Sequence, residues 1–335
     1  MNWIKKIAVN SIVVLSSLTI GLMIVELFLY LENKHKPIDY AIIEINDYKY
    51  PFIKGNSTRD PLALNEVEHE LLVVGDSFVA GTACARDDAN FPSHLQMMLE
   101  GKTNVVNLGV EGANPADYID FLDGLNISKG DVSLITLYDN DIHVAPKTCL
   151  QSIRQAEKHK IHVPEFCKNT VTTLDKANEN IAQKINNRIK KFKTVVLIKE
   201  SLVQIPFLRK YFFRTAFRNL WIDFDSDENK WMRSTLKAMA EQMKQNGGEA
   251  LFIYYPNTNR ISVDDERHEA WLKFINYVSK NDNIKIADPY PFFIANATSQ
   301  SMVWSLTDKH PNCEAHSLMA DFTFKKFKGF KFLNE

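Results

Sequence analysis

The sequence predicts an α/β protein: a three-layer α/β/α sandwich on a five-stranded parallel sheet, with an N-terminal transmembrane helix and a mostly helical insertion. Three observations predict it. Short, mostly apolar runs alternate with stretches whose apolar residues recur at helical spacing, the pattern of βαβ units. That alternation stops after Asp141 and resumes near Trp231. Residues 7–31, from Ile7 to Leu31, form one long apolar stretch in which only Asn10 and Glu26 are strongly polar.

The apolar stretch comes first in the chain. As a helix rising about 1.5 Å per residue it reaches roughly 37 Å, enough to cross a bilayer. A cleaved signal peptide has a shorter apolar region followed by small residues, whereas this one leaves through Tyr30, Leu31, Glu32 and Asn33. Lys5 and Lys6 precede it. The expectation is a single-pass signal anchor within 1–32, with the catalytic domain on the periplasmic or extracellular side. Residues 33–68 are polar and aromatic without sustained periodicity and suit a stalk or linker.

The regular domain is expected over 69–335. Leu71, Leu72, Val73 and Val74 run into Gly75 as a strand buried on both faces. A helix is expected over 91–99, a strand over 104–108, a helix over 115–125 and a strand over 132–137. Residues 143–228 form the insertion, with an amphipathic helix over 176–193. A helix over 231–245, a strand over 250–255, a helix over 264–279 and a strand over 284–287 restore the rhythm, and a last helix starts after Pro311. At the C-terminus Phe324, Phe327 and Phe330 alternate with Lys325, Lys326, Lys328 and Lys331, as in a helix with buried rings and wet ammonium groups.

Composition narrows the function. With 45% hydrophobic and 24% charged residues the chain is globular rather than disordered. Lys plus Arg (40) balance Asp plus Glu (41), so a nucleic-acid partner has no support. Cys84, Cys149, Cys167 and Cys313 contain no CxxC pair, which argues against a zinc or redox site. Outside the cytoplasm they can form disulfides. Cys149 with Cys167 closes a short loop and Cys84 with Cys313 completes the set, but four cysteines allow three pairings.

Chemistry gathers at the strand ends, where open parallel sheets bind ligands. Ser77 lies in Gly75-Asp76-Ser77-Phe78, after the first strand. The second strand ends in Asn107-Leu108-Gly109, where a glycine lets a backbone N–H approach an oxygen closely. The third ends in Tyr138-Asp139-Asn140-Asp141, which offers a side-chain amide to the same oxygen. Asp308-Lys309-His310 puts a carboxylate two residues before an imidazole, so an extended loop presents both on one side. Such a histidine can take a serine proton and such a carboxylate can orient it.

These four blocks, in this order, resemble the SGNH/GDSL hydrolase superfamily over roughly 69–325. The resemblance implies a flavodoxin-like SGNH hydrolase fold, Ser77 as nucleophile, His310 as base and then acid, and Asp308 as its partner. It also implies an oxyanion hole of Ser77, Gly109 and Asn140, and no metal or other cofactor. The anchor and the run Asn90-Phe91-Pro92 look like membrane-tethered bacterial members, which implies acyl esters, commonly O-acetyl groups on envelope glycans, as substrates. This chain departs from the pattern in three places. Tyr138 stands where many members have glycine, Phe78 replaces the leucine of GDSL, and Asp-x-His is one residue shorter than the familiar DxxH. The shorter form is also seen in glycan acetyltransferases of the superfamily, so acyl transfer is the nearest alternative. Two others are weighed against it: a metal-dependent phosphoesterase using Asp139, Asp141, His143, Asp308 and His310, and a non-catalytic protein that binds a glycan or partner through its insertion.

Overall fold

In a computed structural model of the protein, the residues described are Gly21, 40–45, 48–53, 70–81, 84, 89–99, 103–125, 127–144, 146–168, 221–259, 261–262, 265–303 and 310–327. The expected membrane span (apart from Gly21), the expected helix over 176–193, and Asp308 lie outside them. Among the described residues no helix is long and apolar enough to cross a membrane.

Five parallel strands form the central sheet: β3 (Glu70–Gly75), β4 (Asn104–Gly109), β5 (Val132–Leu137), β6 (Glu249–Tyr254) and β7 (Ile286–Ala287), in the order β4-β3-β5-β6-β7. Leu71 to Val74, all of β4 and all of β5 are buried, as expected of largely apolar strands when helices cover both faces. Each fully buried Val, Leu or Ile contributes about 1.5–3 kcal/mol relative to exposure.

The helices are α1 (Ser77–Ala80), α2 (Phe91–Met98), α3 (Pro115–Gly124), α4 (Pro146–His159), α5 (Asp227–Gln245), α6 (Glu266–Asp282), α7 (Tyr290–Asn296) and α8 (Cys313–Phe327). α8 packs on α2, while α5 packs on α3, on α6 and on β6. Chain direction sets the place of chemistry. β3 steps outward to β4, and β4 then crosses back over β3 to β5. The reversal opens a crevice at the carboxyl ends of β3 and β5, where such sheets bind ligands.

The structure differs from the sequence expectation in several places. Within the expected stalk, β1 (Tyr40–Ile45) and β2 (Tyr48–Ile53) pair antiparallel, in a register that sets Ile45 opposite Tyr48. The last strand is shorter than 284–287, because Ile284 N–H still donates to Val278 O while Asn283 ends α6 in a left-handed turn. Helices α4 and α7 are additional. The C-terminal helix follows the expected pattern as far as it is described: Phe327 is buried, Lys325 and Lys326 are exposed, and Lys325 Nζ lies 4.9 Å from the Phe292 ring. The cysteines pair as Cys84–Cys313 and Cys149–Cys167, which decides among the three pairings the sequence allows.

Candidate active site

The strand-to-helix turn at Gly75-Asp76-Ser77 is built by local sequence. Asp76 Oδ1 accepts the Phe78 N–H at 2.9 Å and caps α1, so Ser77 is the first residue of a helical turn. A Cβ on Gly75 would lie 2.3 Å from Val79 Cγ2, so the turn closes only with glycine. Ser77 is buried, with 8% of its surface exposed.

The histidine arrives from the other end of the chain. Val303 and Pro311 form an antiparallel bridge, and Asn312 N–H donates to Met302 O at 3.1 Å. Asn312 then caps α8 by accepting the Ala315 N–H at 3.0 Å. Between these anchors His310 Nε2 lies 3.0 Å from Ser77 Oγ, a separation within direct proton-transfer reach. The Phe78 ring stands 5.7 Å from the imidazole and 3.9 Å from the Tyr138 ring, so the two residues that depart from the GDSL pattern pack on each other beside the dyad.

Gly109 ends β4 directly beneath α1. A Cβ there would lie 2.1 Å from Ala80 N and 2.6 Å from Val79 C, contacts with backbone that no rotamer relieves. This glycine is therefore required by the close approach of the nucleophile helix. Its N–H donates to Asn107 Oδ1 at 2.9 Å, a bond it would have to share with a substrate oxygen. Asn140, after β5, is exposed between buried Asp139 and Asp141. The turn is held by Asp141 N–H to Tyr138 O at 3.1 Å, by Tyr138 N–H to Asp141 Oδ2 at 2.8 Å and by His143 N–H to Asn140 O at 2.9 Å.

Sequence reasoning missed the support beneath this turn. Asp139 Oδ1 accepts from Tyr254 Oη at 3.0 Å and from Trp271 Nε1 at 2.7 Å, while Asp139 Oδ2 accepts from Asn257 Nδ2 at 3.2 Å. Its main-chain carbonyl accepts from Trp221 Nε1 at 3.0 Å. These partners are remote in sequence, and the only local sign of them is a second carboxylate in the Asp-Asn-Asp triplet.

Burial shapes the electrostatics. Asp76 is pushed up to about 6, chiefly by desolvation, against the pull of the Phe78 N–H and the His310 charge. Asp141, also buried, is raised by desolvation and then by its proximity to Asp76. Two carboxylates therefore share one low-dielectric region behind the dyad, and each disfavours ionisation of the other. His316, on the first turn of α8, is fully buried, and burial together with His94 and His310 pushes its pKa down to about 3. It is a neutral packing residue whose Nδ1 lies 3.2 Å from Tyr255 Oη.

His143 is exposed in the turn after Asn140. Among the described residues no group of three or more His, Cys, Asp and Glu is placed to hold a metal ion.

No protein-family model matches the chain, and no curated protein matches it by sequence. Solved structures do. A member of the lipolytic G-D-S-L family from Veillonella parvula aligns with 78% of this chain and 100% of its own, at 13% identity and a TM-score of 0.40. A putative arylesterase from Agrobacterium tumefaciens aligns with 78% of this chain and 98% of its own, at 10% identity and a TM-score of 0.39. The salicylyl-acyltransferase SsfX3 of a tetracycline biosynthetic pathway aligns over 78% of this chain and 56% of its own, at 9% identity and a TM-score of 0.36.

Proposed function

We propose that the chain is a serine esterase of the SGNH/GDSL type, which cleaves acyl esters, with O-acetyl groups of an envelope or extracellular glycan as the substrate class. One observation carries this reading: His310 Nε2 lies 3.0 Å from Ser77 Oγ although the residues are at opposite ends of the domain sequence. In its neutral form His310 accepts the Ser77 proton through Nε2 while the hydroxyl attacks the ester carbonyl. Asp308 would hold the Nδ1–H side of the ring. The tetrahedral oxyanion is held by the Ser77 N–H, the Gly109 N–H and Asn140 Nδ2, and the imidazolium then protonates the departing alkoxide. Water, activated by the same imidazole, attacks the acyl-serine and releases the acid. A sugar hydroxyl in place of that water would make the product a transferred ester.

The setting belongs to the same reading. Residues 7–31 would anchor the chain in a membrane with the domain outside the cytoplasm. Both disulfides support this, since such bonds persist in oxidising compartments.

The test compares the full-length protein with Ser77→Ala on a chromogenic acetyl ester and on an acetylated glycan, with and without an added acceptor sugar. Wild type should release acetate and be labelled at Ser77 by a fluorophosphonate. Ser77→Ala should do neither, and Asn140→Ala should lose about 10²–10³ in kcat while remaining folded. Equal turnover by wild type and Ser77→Ala would sink the esterase reading. Acetyl transfer to the added sugar in excess of acetate release would make the protein an acyltransferase.

A further inference from the structure

Asn140 is the exposed residue of a turn whose neighbours are all held from below. On its N-terminal side, the Asp139–Asn140 peptide carries the carbonyl that Trp221 Nε1 binds at 3.0 Å. A peptide group is planar, so fixing that oxygen fixes the plane from which Asn140 Cα departs. The Asp139 side chain is held by the Tyr254 hydroxyl, the Trp271 indole and the Asn257 amide. Those donors are themselves packed: Trp221 lies on Trp271 with ring centroids 3.9 Å apart, and Tyr254 lies 4.3 Å from Trp271. Asn257 Nδ2 also reaches Tyr138 Oη at 3.0 Å, tying the first residue of the turn to the same frame. On the C-terminal side Asp141 is 3% exposed and bonds back to Tyr138 N–H.

A buried carboxylate with three side-chain donors, below a solvent-facing amide, is more than packing requires. An apolar residue could fill the volume without needing three polar partners, so the bonds are informative about direction. An oxyanion donor is effective only when it is held, before the reaction, at the position the oxygen will take. A loop with a single exposed amide would otherwise sample several orientations.

We propose that Asp139 and Trp221 are positioning residues for Asn140, and that Trp221 makes the oxyanion turn depend on the returning limb of the 143–228 insertion. Trp221 stands at the end of that insertion. It is buried, and Asn229 Nδ2 of α5 binds its carbonyl. Trp221 thereby gives this end of the insertion a part in catalysis, through the Asp139 carbonyl that its indole binds. The inference rests on the esterase reading, in which Asn140 holds the oxyanion.

Its test is a double-mutant cycle in the full chain. Trp221→Phe keeps an aromatic ring in the stack and removes the N–H, together with part of the indole volume. Trp221→Phe, Asn140→Ala and the pair are assayed on a chromogenic acetyl ester, with active sites counted by fluorophosphonate. Trp221→Phe should lower kcat about 10-fold or more with KM within about twofold, and should cost less than about twofold once Asn140 is already Ala. The same loss in both backgrounds, or no loss in the first, overturns the proposal. Should Trp221→Phe fail to fold, Tyr254→Phe removes one donor to Asp139 and carries the same cycle. An Asn140→Ala protein as active as wild type would instead strike at the esterase reading, so the two failures are distinguishable.

Discussion

At the scale of single residues, the site sets Ser77 beside His310 next to the buried carboxylate of Asp76. Asp76 has two roles: it caps α1 through the Phe78 N–H, and it lies in a region where burial raises its pKa to about 6. An acid whose folded-state pKa exceeds its unfolded value of about 4 binds an extra proton in the folded state between those two values. Wild-type stability attributable to Asp76 is therefore greatest below about pH 4 and declines as pH rises through 6. The decline amounts to about 3 kcal/mol for a two-unit shift. Asp76→Asn retains a capping oxygen and cannot ionise. Urea denaturation of both proteins from pH 4 to pH 7 should show the variant gaining on wild type as pH rises. A constant difference across that range would mean that Asp76 titrates like an exposed carboxylate. The Asp76–Ser77 turn was legible in sequence because its chemistry is local. The Asp139 frame was not, because Trp221, Tyr254, Asn257 and Trp271 reach it from far along the chain.

At the scale of elements, α3 and α4 meet through a ladder of polar contacts. Asp117, Asp120 and Asp123 recur every third residue on α3. Gln151 binds Asp117, Arg154 and Gln155 bind Asp120, and His159 binds Asp123 at 2.9 Å. Gln242 of α5 reaches Asp123 at 2.7 Å, so three helices share the carboxylate row. Asp120 is 3% exposed, and its removal would take one of two acceptors from the buried Gln155 Nε2, which also donates to Ala116 O at 2.8 Å, together with the carboxylate that Arg154 binds. Asp120→Ala should cost about 1–3 kcal/mol, measured by chemical denaturation. A change within about 0.5 kcal/mol would show that the ladder only replaces hydration. The same ladder explains why α4 was read only as part of a mostly helical insertion and not as a helix of its own. Its buried face is Thr148, Cys149, Gln151, Ser152 and Gln155, and so polar a face leaves little apolar stripe to detect. The buried strands β3, β4 and β5 were legible for the opposite reason, since each is a short, mostly apolar run that ends in the turn carrying the chemistry. The β1–β2 hairpin was read as part of a stalk, because its strands lack clean alternation.

At the scale of the whole molecule, one disulfide joins the two chain regions that meet at the dyad. Cys84 follows the nucleophile helix, and Cys313 begins α8 three positions beyond His310. The bond spans a sequence separation of 229, so it removes a large loop-closure entropy from the unfolded chain. Its place also matters to the site, because it adds to the Val303–Pro311 bridge and the Asn312 cap that hold the segment carrying His310 among the described residues. Replacing both cysteines with Ser should lower stability by about 2–5 kcal/mol. It should also lower kcat at temperatures where the variant is still folded, since His310 is then less firmly held against Ser77. Removing Cys149 and Cys167 in the same way provides the comparison: that bond closes a loop with a separation of only 18, and it joins Cys149 of α4 to Cys167, on segments that carry neither Ser77 nor His310. It should cost stability with kcat nearly unchanged. Equal effects of the two replacements on kcat would show that the Cys84–Cys313 bond stabilises the domain without serving the geometry of the site.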